Sequence, residues 1–283
     1  MWRSLLVGML WMPLWAVAQE VQFSAGIESF RWEEFDRVDG HSLLQETGKR
    51  HFFGVKSDMA VSPVLYFGGG ARLFSGVVDY DGETQLAVPA FSRTKYQGWN
   101  IEADFSRLLL PVEMTKSDRT LWITMGLGHE RWVRDIRDGE TIYGDPVAGY
   151  VEEYAISYAR LGTKYADGDK WSLSGGIKYP IHAEESIGFG RFGYDDPELE
   201  PEGVLSFYTT LVYQLSPSWS IDMRYDSYRF ERSAIRFLTK DGTRVKDIGT
   251  IGVCEPDDPV KDLCVMQPQS HQDTLSLMMT MRF

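Results

Sequence analysis

Few residues in this chain have the types and spacing that chemistry requires. Asp79 and Asp81 form a carboxylate pair in the run V-D-Y-D-G, and His182 is followed closely by Glu184 and Glu185. A histidine acting as general base needs an orienting carboxylate within hydrogen-bond reach, so these two places are the candidates for acid–base work. His129 has Arg131, not serine, two residues on, which argues against a serine nucleophile beside it. The D-Y-D-G-E run of Asp79, Asp81 and Glu83 echoes the start of a calcium loop. It lacks the later ligands and the glutamate at the twelfth position, so it reads as a turn at a strand end. No metal or cofactor is expected, although the acidic loop from Glu184 to Glu202 could collect divalent cations.

Export determines how the cysteines are read. Arg3, the apolar stretch Leu5 to Trp15 and the small-x-small triplet Ala16-Val17-Ala18 read as a signal peptide over residues 1–18. Residues 19–283 are then one mature domain, whose net charge moves from −12 to −13 on losing Arg3. That acidity argues against nucleic acid or an anionic lipid surface as the main partner. In an oxidising compartment Cys254 and Cys264, with nine residues between them, are expected to form a disulfide and not a metal site.

The elements that must position these residues are strands. At the carboxyl end Leu275, Leu277, Met279, Met281 and Phe283 alternate with polar positions, Met278 being the exception. Period-two alternation makes a strand with one apolar and one polar face. Nine more such segments precede it, beginning near Val21, Arg50, Val64, Tyr96, Leu121, Val151, Lys170, Gly203 and Trp219. The sixth has no legible face. Turns after strands two, six and eight are short, whereas those after strands one, three, five, seven and nine are long and polar.

With its exported leader, uneven connections and aromatic-ended closing strand, the chain resembles bacterial outer-membrane β-barrels. The resemblance implies an all-β, transmembrane, antiparallel up-and-down barrel of ten strands in the outer membrane. Outer-membrane lipid and lipopolysaccharide would surround it, its termini would be periplasmic, and Phe283 would signal to the barrel-assembly machinery. Tryptophan and tyrosine near strand ends (Trp99, Trp122, Trp132, Trp171, Tyr179, Tyr213 and Trp219) resemble the aromatic girdles of such barrels.

If the apolar faces meet lipid, the lumen receives Lys56, Asp58, Arg72, Glu102, Asp104, Glu130, Lys178, Asp222, Arg224 and Asp226, besides Glu28 and Arg282. Both signs are present, so a plug of ion pairs is expected, a narrow polar channel being the alternative.

The ten-strand size is also similar to that of the omptin proteases. That family sets an Asp-Asp pair on one side of the mouth and an Asp-x-His pair on the other. Asp79 and Asp81 would stand for the first pair, and His182 with Glu184 and Glu185 is the nearest substitute for the second. With half a motif, no catalytic residue is assigned and enzyme activity is not the expectation. The expected function is a non-enzymatic envelope protein working through its exposed loops, toward a ligand the sequence leaves unknown. A porin-like pore is the first alternative and an omptin-like surface hydrolase the second.

Overall fold

A computed structural model describes residues 19–36, 39–84, 87–110, 119–168, 170–245 and 263–283. The expected leader and Cys254 fall outside the described residues. Ten long strands make the body: β1 Gln19–Phe35, β2 Ser42–Ser62, β3 Leu65–Glu83, β4 Pro89–Leu110 and β5 Arg119–Ile136. They continue as β6 Val151–Asp167, β7 Trp171–Ile187, β8 Ser206–Ser216, β9 Trp219–Glu231 and β10 Gln269–Arg282. Each pairs antiparallel with its neighbours in sequence, and β1 pairs with β10 from Gln22↔Arg282 to Phe35↔Gln269. The sheet therefore closes on itself and leaves no edge. The first and last strands meet in this seam, where the Phe283 amide donates to the Val21 carbonyl at 2.9 Å.

The apolar faces read from sequence point outward. Phe53, Leu73 and Leu127 are each more than 60% exposed, and Phe23, Ile27, Ile101, Met125, Ile177, Phe207, Met223 and Leu277 share the same belt. In a water-soluble barrel these side chains would fill the interior; here the interior is polar and aromatic instead.

The strands run further than the sequence pattern suggests. β2 begins at Ser42, eight residues before the alternation becomes legible at Arg50, and β4 begins at Pro89 where Tyr96 was expected. Above the belt the pattern inverts: outward positions become charged (Arg31, Lys49, Lys95, Arg131, Glu153), while Trp32, Trp132, Tyr154 and Phe230 are buried inside. Trp132 is accordingly not part of an outer girdle, and Trp122 turns inward at the other end. Trp99, Tyr179, Tyr213 and Trp219 do face outward.

Strand six acquires its faces from the structure. Glu152, Tyr154, Ile156 and Tyr158 point inward. Its ladder with β7 breaks between Ser157↔His182 and Tyr158↔Pro180, so that Ile181 is an extra residue. Pro180, which has no amide hydrogen to offer, sits at this bulge.

Candidate functional site: the barrel interior and its two ends

Contacts between strands that are not neighbours can form only through the lumen, and they are many. Arg160 of β6 grips Glu102 of β4 at 2.8 Å and is also paired with Asp104. Arg224 of β9 reaches Glu102 at 3.1 Å and Asp226 at 2.8 Å, and Asp226 also holds Lys178. Glu130 accepts from Tyr228 at 3.0 Å and Asn100 at 3.2 Å. Glu28 of β1 binds Arg50 at 2.6 Å and Arg72 at 3.3 Å. Asp222 accepts from Ser220 and Thr280, each at 2.7 Å. Lys56 and Asp58 pair at 3.0 Å nearer the short turns. The structure thus brings all ten lumen candidates onto the inner wall, each with a polar partner.

Toward the long-loop end this network merges with an aromatic cluster. Trp132 stacks on Tyr154 with centroids 5.1 Å apart, and Trp32 meets Tyr154 edge-on at 5.4 Å. Arg134 is 1% exposed and serves three carboxylates: Glu34 and Glu46 at 3.0 Å and Glu152 at 2.6 Å. Glu46 also accepts from Thr94 at 2.5 Å and from Tyr96. Cationic side chains lie over rings as well, Arg50 on Phe30 at 3.9 Å and Lys178 on Tyr228 at 3.4 Å. Buried charges paired in this density tie the inner wall together across the lumen.

Below the network the lumen opens. A polar vestibule of about 580 Å³ spreads from Arg72, Arg160 and Arg224 down to Lys56, Lys164 and Arg282 near the short turns. Gly68, Gly70 and Gly54 line it, leaving room that side chains would fill.

The acid–base candidates do not converge. Asp79 and Asp81 share the outward face of β3 with Leu73; the Asp79 side chain is 86% exposed, with Arg93 at 4.0 Å. His182 would face the lumen in a regular β7, but the bulge at Ile181 turns it outward, 58% exposed, with Glu184 at 3.8 Å. Glu185, by contrast, is fully buried inside.

A histidine–carboxylate pair does exist, at a place the sequence reading passed over. Asp39-Gly40-His41 has the Asp-x-His spacing, in the loop between β1 and β2. His41 Nδ1 lies 2.5 Å from Asp39 and Nε2 lies 3.1 Å from Glu83 on β3. Hydrogen bonds to these two carboxylates push the imidazole up from 6.5 to about 9, so it is protonated at neutral pH. Donor atoms of Asp36, Asp39 and His41 lie within 4.8 Å of one another, so these three could share a cation once the imidazole loses its proton.

At the seam, Phe283 is 69% exposed and packs edge-on against Phe23 at 5.7 Å. Cys264 lies in the short strand Cys264–Val265, paired with Arg236–Phe237.

No protein-family model matches the chain, and no curated protein matches it in sequence. Solved structures do resemble it. The outer membrane protease OmpT from Escherichia coli superposes with a TM-score of 0.55 at 13% identity, over 96% of this chain and 99% of that one. The translocator domain of the autotransporter NalP from Neisseria meningitidis gives 0.43 at 9% identity, over 93% and 88%. Ail of Yersinia pestis gives 0.31 at 12%, over 94% and 99%. The likeness to OmpT is one of fold. Apolar side chains outside, paired charges inside and closure after ten antiparallel strands give this chain the fold of a bacterial outer-membrane β-barrel of omptin size.

Proposed function

We propose that this barrel does not conduct and that it works at its extracellular end, as a surface protein whose loops bind or shield. The observation that carries this reading is the cross-lumen network, in which Arg134, Arg160 and Arg224 bind carboxylates from strands not adjacent to their own. The strands also continue above the apolar belt, lifting the loops clear of the membrane surface. Phe283 on the closing strand is the proposed signal to the assembly machinery, and lipopolysaccharide the proposed outer neighbour. Conductance of the refolded protein in a planar bilayer tests the reading. A silent barrel, folded by heat-modifiable gel migration, is expected. Steady openings that change with Arg224→Ala would establish the pore reading instead.

A surface hydrolase is the second reading, favoured by the Asp39–His41 pair and by His129 Nδ1, which lies 3.0 Å from Ser157 Oγ on the neighbouring strand. OmpT is described as a protease, but likeness in fold does not carry that activity across. Asp79, Asp81 and His182 project from the outer wall, and His41 is an acid at neutral pH and not a base. Peptide hydrolysis lost in His41→Ala would revive this reading.

A further inference from the structure

Among the described residues the cations of the lumen and its mouth are paired, Lys164 and Lys170 excepted. Arg50, Lys56, Arg72, Arg160, Lys178 and Arg224 each have a carboxylate within 4 Å. Lys164 of β6 lines the vestibule, yet among the described residues its side chain makes no ion pair and no hydrogen bond. A second cavity, of about 660 Å³, adjoins the vestibule at the short-turn end and shares Lys164 and Arg282 with it. Lys170 lines this cavity too, and no carboxylate among the described residues does so. Arg282 is shared with Glu20 at 3.3 Å. The remaining polar lining includes Ser172, Gln214 and Ser216, groups that can bond to hydroxyls. The vestibule above also carries Glu20, Asp58, Glu102, Asp104 and Asp222, so it is the mouth, with Lys164, Lys170 and Arg282, that is positive and focuses anions toward itself. On the proposed reading that the network above closes the lumen, whatever enters from the short-turn side must leave the same way.

We propose that the vestibule and its mouth form one periplasm-facing site for a small hydroxylated phosphate, held by Lys164 and Lys170. Such a group comes either as a free phosphate ester or as the headgroup of an inner-leaflet lipid. Two flexible ammonium groups and a guanidinium suit a dianionic phosphate.

The test is calorimetric titration of refolded, full-length mature protein in nonionic detergent with glycerol 3-phosphate, glycerol serving as the neutral control. Saturable binding is expected for glycerol 3-phosphate and none for glycerol. Lys164→Met should weaken it about tenfold, the loss of one charge-assisted contact, and Lys164→Met/Lys170→Met further still. Among the described residues neither lysine side chain makes an ion pair or hydrogen bond, and heat-modifiable migration checks that the variants fold. Binding that is absent, equal for glycerol or unchanged in the double variant overturns the proposal. Adding phosphatidylglycerol separates the two sources: competition identifies a lipid headgroup, and its lack identifies a free ester.

Discussion

Arg160 on β6 meets Asp104 on β4 directly in front of Gly126, on the strand between them. A Cβ at residue 126 would run into the Asp104 carboxylate, 3.1 Å from Arg160 Nε and 2.9 Å from the Ala103 carbonyl. The glycine is thus the gap through which an ion pair between non-adjacent strands can close. Gly126→Ala is expected to destabilise the barrel by about 1–3 kcal/mol, the usual cost of overpacking. The midpoint of urea unfolding measures this. An unchanged midpoint would mean that the pair simply swings aside.

Arg134 governs a larger effect. It is the only cation bonded to Glu34, Glu46 and Glu152 among the described residues, and all four groups are buried. Removing it as Arg134→Met leaves carboxylates without a counter-charge, a change that costs about 3–5 kcal/mol. Glu46→Gln added to Arg134→Met should return part of that loss, because the two residues act as a unit. The temperature at which the folded gel band disappears reports both. Purely additive losses would show that the carboxylates are served independently of Arg134.

The barrel was legible in the sequence because lipid imposes a pattern. Wherever outward side chains meet hydrocarbon, as at Leu275, Leu277 and Met279, alternation marks both the strand and its faces. Above the belt that constraint ends. Outward positions such as Lys49 and Arg131 become polar, inward ones such as Trp32 and Trp132 become aromatic, and the strand extensions are lost to view. Parity also carried the positions of Asp79 and Asp81, which share a face with Leu73 and so had to point out. His182 was different: its parity with Lys178 predicts an inward side chain, and only the bulge at Ile181 reverses it. The Asp39-Gly40-His41 spacing was visible but lay outside any alternating segment. Nothing in it announced that Glu83, forty-two residues on, would complete the contact.

The pair Cys254 and Cys264 is expected to be a disulfide when the protein matures outside the cytoplasm. Closing so short a loop stabilises by roughly 3 kcal/mol on the chain-entropy model. Thiol titration of the denatured, oxidised protein should find no reactive sulfhydryl, and Cys254→Ala/Cys264→Ala should unfold at lower urea. Because these residues lie in the last loop, between β9 and β10, the double variant should still fold into a barrel. Two free thiols in protein recovered from the outer membrane would contradict the pairing.

His41 gives the molecule a measurable pH response. Its folded value of about 9 lies above the ordinary 6.5, raised first by the hydrogen bond to Asp39 and then by that to Glu83. A group raised in this way contributes stability that is fully present below 6.5 and is lost as pH climbs through about 9. The first loop should therefore loosen on the alkaline side, not the acid side. Histidine resonances of the refolded protein should show one ring titrating near 9, moving toward 6.5 in Asp39→Asn and less far in Glu83→Gln. If no ring titrates above 8, the contacts to Asp39 and Glu83 do not persist in solution. His41 would then be a neutral imidazole at pH 7.5, free to act as a base or to join Asp36 and Asp39 around a cation.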